Sequence, residues 1–429
     1  MLYIKRKEIF IIPSELPNAM AELVFEDLRF EEKDNKVVVT FLDNFYFEAD
    51  KEAFKRAAIN GNKVEFPNLS EEEARNRINS IIDRGFNNLV SKITNKKTIY
   101  VNRHLGLPLI GSGAFGITDR NSSMIELKPV TGCNMNCIFC SVGEGLTSKK
   151  TAELVIDRDY LVEEAKKVID FKNCDVHIAI NAHGEPTLYK QMPELICDLK
   201  QIPAVKTISL ITNGTLLNEG YVDKLAEAGL TRLNVSLNAI SERMAKMLEG
   251  SGKYDVNHVK KMCGYASKRM EVVLAPVFVP GCNDGELAEM IKFAKKIKAK
   301  MGIQNFLHYR LGRTPLNTKQ MPWEKFYEML KRLEKEHDFK LMLDESDFGI
   351  KKTQALPKPF RKGDVVEAVI KCPGRYKNEA IAAARDRNVT VTDFNGFNNL
   401  NNGSGSSGKK VKVKITSDKH NIFYGKVLH

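Results

Sequence analysis

Between residues 124 and 309, short β-rich runs alternate with amphipathic segments, and that alternation restricts the fold more than any other feature of the chain. The runs lie at 124–128, 176–181, 207–211, 232–237, 272–279 and 305–309. Helical patterns fit 161–169, 194–199, 218–228, 256–267 and 287–297. In the last of these, Leu287, Met290, Ile291, Ala294 and Ile297 share one face while lysines fill the other, the period of a helix packed on one side. Strands with apolar centres, joined by helical crossovers, form a parallel sheet covered by helices. Six such units predict an α/β fold with a partial or complete barrel, whose functional residues gather at the C-terminal ends of the strands.

The flanks read differently. Residues 1–118 mix strand-like runs (36–42, 45–47, 98–101) with one helix near 71–82, an α+β region with no cysteine and no motif. From 357 to 429, short strands at 365–370, 389–392, 411–415 and 423–427 are separated by Gly, Asn and Ser, the pattern of a small antiparallel β-barrel. Within it NNLNNGSGSSG, residues 398–408, is a flexible loop by composition. The expected domains are 1–118, 119–356 and 357–429.

Charge is concentrated at one end. Residues 357–429 hold 14 Lys and Arg against 6 Asp and Glu, two-thirds of the net charge of +12. A basic terminal module suits a polyanionic partner, nucleic acid foremost, or a solvated face that aids solubility. No apolar run approaches the ~20 residues needed to cross a bilayer. The start, MLYIKRKEIFII, is too short and too charged for a signal peptide. A cytoplasmic protein with no membrane partner is expected.

The eight cysteines are at 133, 137, 140, 174, 197, 263, 282 and 372. Three of them cluster and the others are scattered, which is no disulfide framework; clustered cysteines read as metal ligands or redox groups. Cys133-Asn-Met-Asn-Cys137-Ile-Phe-Cys140 follows the first strand, and one loop so spaced can wrap three thiolates around a single iron–sulfur cluster. Zinc and buried structural thiols are the competing readings. Structural zinc takes four ligands, and no second Cys or His pair completes this set. Three ligands leave one iron open to a small molecule.

The spacing C-x3-C-x-Φ-C, with Phe139 as the aromatic, resembles that of the radical S-adenosylmethionine (SAM) superfamily over roughly 124–343. The resemblance implies a partial (βα)6 barrel and a [4Fe–4S] cluster on Cys133, Cys137 and Cys140. It also implies SAM chelated to the fourth iron and cleaved by one electron to a 5′-deoxyadenosyl radical. The electron would come from a ferredoxin or flavodoxin. Gly184-Glu185-Pro186, at the end of the second strand, resembles the family's G-G-E-P turn against the SAM amino group, with His183 in place of the first glycine. Thr212 and Asn213 end the third strand and Ser236 and Asn238 the fourth, and the resemblance makes them contacts to the SAM carboxylate and ribose. Ordinary helix capping is the competing reading of such residues. Asn283 is a further adenine-side candidate or a turn residue. Glu144, His308, Tyr309, Arg310 and Arg313 are substrate-side candidates, and no catalytic residue is assigned.

KGDVVEAVIK and GKKVKVKITSDKHNIFYGKVL resemble a TRAM domain, a small OB-like barrel attached to RNA-modifying enzymes. Lysines 409, 410, 412 and 414 alternate with Val411, Val413 and Ile415, so a strand would expose a lysine stripe able to neutralise phosphates. Phe394, Phe397 and Tyr424 are stacking or core residues. The whole architecture resembles a poorly characterised archaeal group. The cysteine-free N-terminus disfavours methylthiotransfer, no cobalamin domain is recognisable, and the surroundings of Cys282 and Cys372 do not match a cysteine-dependent methyltransferase. The expected function is radical modification of RNA, tRNA foremost. The alternatives are a protein or small-metabolite substrate with a structural barrel, or a non-catalytic iron–sulfur RNA-binding protein.

Overall fold

The computed structural model describes residues 20–397 and 407–428. Most of the loop expected at 398–408 therefore lies outside the described residues.

Six parallel strands stand side by side in chain order: Met124–Lys128, Val176–Ile180, Val205–Thr212, Arg232–Val235, Glu271–Leu274 and Lys300–Met301. Gly116–Asp119 pairs antiparallel on the outer edge of the first, and the sheet does not close. Three of the crossover helices begin at a side-chain cap. Asp157 accepts from the Tyr160 amide, Asn218 from Tyr221, and Asp255 from Asn257 and His258. Leu287, Met290, Ile291 and Ala294 are buried against the sheet, as the helical period predicts.

The sixth strand differs from expectation. Residues 305–309 do not form it. Helix Leu287–Ile297 stops at Lys298, which is left-handed, and the chain enters the sheet at once through Lys300–Met301. Of 305–309 only Asn305 is in a strand, in a short pair of Gln304–Asn305 with Val277–Phe278 above the sheet's end. The expected fifth run, 272–279, is likewise broken into Glu271–Leu274 and Val277–Phe278.

Before the core, Leu28–Lys33, Lys36–Phe41 and Phe45–Asp50 form an antiparallel meander continued by Val90–Ser91 and Lys97–Val101. Helix Glu71–Phe86, opened by a Ser70/Glu73 capping box, packs on it. The sheet's last strand is Ala152–Ile156, which comes from beyond the cysteine loop and runs parallel to Lys97–Val101 with every residue buried. One sheet thus spans residues on both sides of position 118.

A titratable group marks this region. Burial, aided by Glu26, pushes the Asp27 carboxyl up to about 6 from an ordinary value of 3.8. Its contribution to stability is full below pH ~4 and is lost as pH rises through ~6, because only the unfolded state is then free to ionise it cheaply. Asp27→Asn is expected to raise the melting temperature at pH 7.5 relative to the parent and to leave it level at pH 4. Equal shifts at both pH values would count against the assignment.

Val365–Pro373, Glu379–Ala384, Arg387–Thr392, Tyr424–Val427 and Lys410–Ser417 close into a five-stranded barrel with a core that includes Ile370, Val389, Val413 and Phe423. Its one parallel pair joins Arg387–Thr392 to Tyr424–Val427. Lys410, Lys412 and Lys414 are exposed while Val411, Val413 and Ile415 are buried, so the alternating stripe is real. Phe394 packs inside against Phe397, whereas Tyr424 is exposed. The barrel is docked on the core. Asn388 donates from its amide to Ile110 O (2.8 Å) and from Nδ2 to Pro108 O (2.7 Å), and the Phe423 amide donates to Gly111 O (2.8 Å). Gly111 has φ +134°, and a Cβ there would lie 2.0 Å from Asn388 O, so only glycine permits the approach.

Candidate active site

Thr131–Gly132, just past the first strand, pairs in parallel with His183–Gly184, just past the second. The cysteine loop leaves from that pair. Its backbone is held from outside: the Asn136 and Ile138 amides donate to Glu249 O (3.0 Å) and Leu248 O (2.9 Å) at the end of helix Glu242–Leu248. From the other side the Arg313 amide donates to Cys140 O (2.9 Å) and its Nε to Cys137 O (2.7 Å). With its carbonyls and amides so occupied, the loop turns Cys133, Cys137 and Cys140 into a cavity of about 300 Å³.

The same cavity is lined by Phe139, Gly184, Glu185, Thr212, Asn213, Ser236 and Asn238. Of the cluster and SAM residues expected from the sequence, the structure brings together all but Asn283 and Pro186, the latter buried and opening the 3-10 turn Pro186–Leu188. Glu185 organises the floor. Its Oε1 accepts from the Thr187 amide (3.0 Å), Thr187 Oγ1 (2.6 Å) and Thr212 Oγ1 (2.6 Å), and its Oε2 from the Asn213 amide (2.8 Å). These bonds lock the second strand's end to the third. Asn213 Nδ2 then donates to Asn134 Oδ1 (2.9 Å), which ties the third strand to the cysteine loop. Ser236 presents a hydroxyl with no partner among the described residues.

Asn238 and Asn283 serve as struts. Asn238 Oδ1 accepts from the Val277 amide (2.8 Å) and its Nδ2 donates to Glu249 Oε1 (2.7 Å). Asn283 does not line the cavity. It is fully buried, donates to Asn238 O and Val277 O (both 2.9 Å), and accepts from the Val279 amide (2.8 Å). Of the substrate-side candidates, Glu144 and Tyr309 line the cavity, Arg313 braces the loop, and His308 and Arg310 are exposed. Half-buried Cys282 and buried Cys372 do not line the cavity.

Glu249 is the main residue that sequence reading missed. Its Oε2 lies 2.8 Å from Cys137 Sγ, and the side chain is buried. Burial pushes its carboxyl above the ordinary range. Burial likewise pushes the Cys133 and Cys137 thiols far up, with the Glu185 and Glu249 carboxylates adding to it. Sulfurs in such surroundings ionise only against a bound cation, which inverts the local electrostatics. Among the described residues no three His, Cys, Asp or Glu side chains converge on one ion position. All three thiols line one cavity, an arrangement with room for a cluster of several irons.

Glu144 stands just beyond the loop. Its Oε1 takes both Lys150 Nζ and Arg375 Nη2 at 2.5 Å, and all three side chains are buried. Arg375 belongs to the hairpin between the first two strands of the C-terminal barrel, and its carbonyl accepts from the Thr151 amide (2.8 Å). The barrel thus reaches the exit of the cysteine loop.

The radical SAM superfamily model matches residues 127–294 of this chain. The Methanocaldococcus jannaschii protein MJ0103 is 34% identical over 426 residues, 92% of this chain and 96% of its own length. The chain belongs to the radical SAM superfamily. It is a radical SAM enzyme, and the cofactors of the family are a [4Fe–4S] cluster and SAM. GTP 3′,8-cyclase of Listeria welshimeri is 28% identical over 209 residues, 48% of this chain; the match spans 60% of that cyclase's length. Streptococcus suis SuiB bound to S-adenosylmethionine superposes with a TM-score of 0.40 at 14% identity, covering 74% of this chain and 71% of that one. Radical SAM enzymes need a reductant. Among the described residues no helix is long and apolar enough to cross a membrane.

Proposed function

We propose that this radical SAM enzyme modifies RNA, tRNA foremost, and that its C-terminal barrel is a TRAM-like module that holds phosphates. The observation that carries the reading is the exposed Lys410, Lys412 and Lys414 stripe on a closed barrel docked against the core. The barrel's order, with its single parallel pair, supports an OB-type topology. Cys133, Cys137 and Cys140 hold the cluster. Gly184, Glu185, Thr212, Asn213, Ser236 and Asn238 form the SAM pocket, Phe139 packs beside it, and Pro186 fixes the turn that carries Glu185.

A [4Fe–4S] cluster held by Cys133, Cys137 and Cys140 would supply the electron for reductive cleavage of SAM, and with it hydrogen-abstracting radical chemistry. The chain's own residues supply position and shelter. Glu185 sets the spacing of the second and third strand ends, Ser236 offers a free hydroxyl to a ribose or carboxylate, and Asn238 with Glu249 fixes the wall behind Cys137. A ferredoxin or flavodoxin in the cytoplasm is the proposed electron source.

The decisive experiment is a modified-nucleoside profile of a deletion strain. Loss of one nucleoside is expected, and an unchanged profile would overturn the RNA reading. A narrower test replaces Lys412 and Lys414 with Ala. RNA affinity is expected to fall, and the slope of log affinity against log salt to shrink by about 0.7–0.9 per lysine. These variants are cleaner than deletion from residue 358, which would also strip Arg375 from Glu144.

A second reading, a small nucleotide as substrate, is favoured by the likeness to GTP 3′,8-cyclases over 48% of this chain. It would leave the barrel as a structural cap, and the same nucleoside profile separates the two.

A further inference from the structure

The segment after the sixth strand covers one side of the cavity with Gln304, Asn305, Phe306, Leu307 and Tyr309. Tyr309 lines the cavity yet is half exposed. From there the chain runs over the cysteine loop, where Arg313 is anchored, and returns to the core at Met321, whose carbonyl accepts from Nδ2 of cavity-lining Asn305 (2.8 Å). Helix Trp323–His337 starts immediately afterwards. Trp323 and Tyr327, one turn apart, are stacked with ring centroids 5.8 Å apart and planes 26° apart. Only the next residue inward, Phe326, is buried; Trp323 and Tyr327 are 47% and 44% exposed.

Two stacked large aromatics left in water form a patch that core packing does not explain. Charge supplies an explanation. Arg310 and Lys319, on the segment that leads to this helix, are exposed, and neither has a carboxylate partner among the described residues. From Leu307 to Tyr327 the chain carries Arg310, Arg313, Lys319 and Lys325 against the single acid Glu324. Exposed flat rings interspersed with unpaired cations are the combination that binds single-stranded nucleic acid, with bases on the rings and phosphates on the cations.

We propose that Tyr309, Trp323 and Tyr327, with Arg310 and Lys319, form a stacking platform for unpaired nucleotides at the mouth of the cavity. The platform rests on the RNA reading above and extends it, because it places the strand flanking the modified nucleotide on the core rather than on the barrel. The target is thereby single-stranded or opened at the reacting position. A duplex, whose bases are already stacked, offers the rings nothing.

Trp323 is the chain's single tryptophan, so its emission reports the platform directly. Full-length protein is titrated with an unstructured single-stranded RNA, with duplex RNA, and with polyglutamate as a polyanion that has no bases. Single-stranded RNA is expected to quench most of the emission, and duplex RNA and polyglutamate to leave it nearly unchanged. Tyr327→Ala and Trp323→Ala are each expected to weaken single-stranded RNA binding roughly tenfold, and Trp323→Phe to restore it. These rings are exposed, so the variants should fold, and thermal melts check that they do. Binding of RNA with no change in emission would overturn the platform and leave the barrel's role intact. Equal quenching by polyglutamate would indicate an acidic polypeptide partner and overturn it as well. No RNA binding at all, with or without Lys412 and Lys414, would instead remove the RNA reading itself.

Discussion

Cys137→Ala protein is expected to reconstitute with little iron and to release no 5′-deoxyadenosine from SAM under reducing conditions. Cys137 is the middle thiol of three that line one cavity, and Glu249 and Asn238 brace it from behind. Among the described residues no other cysteine lines the cavity. Exposed Cys197, on helix Met192–Lys200, is the matched control: Cys197→Ala is expected to keep iron content and SAM cleavage at the parental level. Iron analysis and chromatography of the nucleoside product give the two readouts. Full iron and parental SAM cleavage in Cys137→Ala would remove the cluster assignment.

Gly184→Ala is expected to be the most damaging substitution that leaves every polar group in place. At φ +148° a side chain is already strained, and its Cβ would lie 1.8 Å from Gly132 O. That oxygen also accepts the Glu185 amide (2.8 Å). Relief of the clash must separate the first and second strand ends and displace Glu185, to which Thr187, Thr212 and Asn213 all donate. The expected cost is about 4 kcal/mol or more, the range of substitutions that combine strain with a broken buried network. A thermal melt measures it, and equilibrium SAM binding should weaken by more than about tenfold, or ~1.4 kcal/mol. A melting temperature and SAM affinity near those of the parent would show that the strand ends are not held as described.

Much of the site was legible because its signals are local. Cys133 to Cys140 is one loop, and Gly184, Thr212 and Ser236 each sit where a β-rich run ends, which a parallel sheet converts into one rim. Glu249 carries no such signal. A glutamate before glycine at a helix end reads as solvated surface, and only the fold places it 2.8 Å from a cysteine 112 positions earlier. The strand Glu379–Ala384, EAIAAA, was hidden for another reason: alanine favours helix, and barrel closure overrides that preference. Ala152–Ile156 escaped notice because it follows the cysteine loop yet pairs with Lys97–Val101, a partner far back in the chain. The sixth strand was misplaced because Lys300–Met301 is two residues long and abuts a lysine-rich helix, while the more apolar stretch beyond it lies over the cavity.

The contact of Arg375 with Glu144 bears on how such chains can diversify. A terminal module joined by a free linker can be exchanged between proteins with little consequence for its host. This one cannot, because a buried carboxylate beside the cysteine loop is neutralised in part by a side chain from the barrel. Loss of one partner from such a group costs about 3–5 kcal/mol. A barrel grafted from a relative must therefore bring a cation to the same hairpin, or be accompanied by a neutral residue at position 144. Substitutions at 144, 150 and 375 are expected to change together, so that the inheritance of the catalytic core and of the barrel is linked.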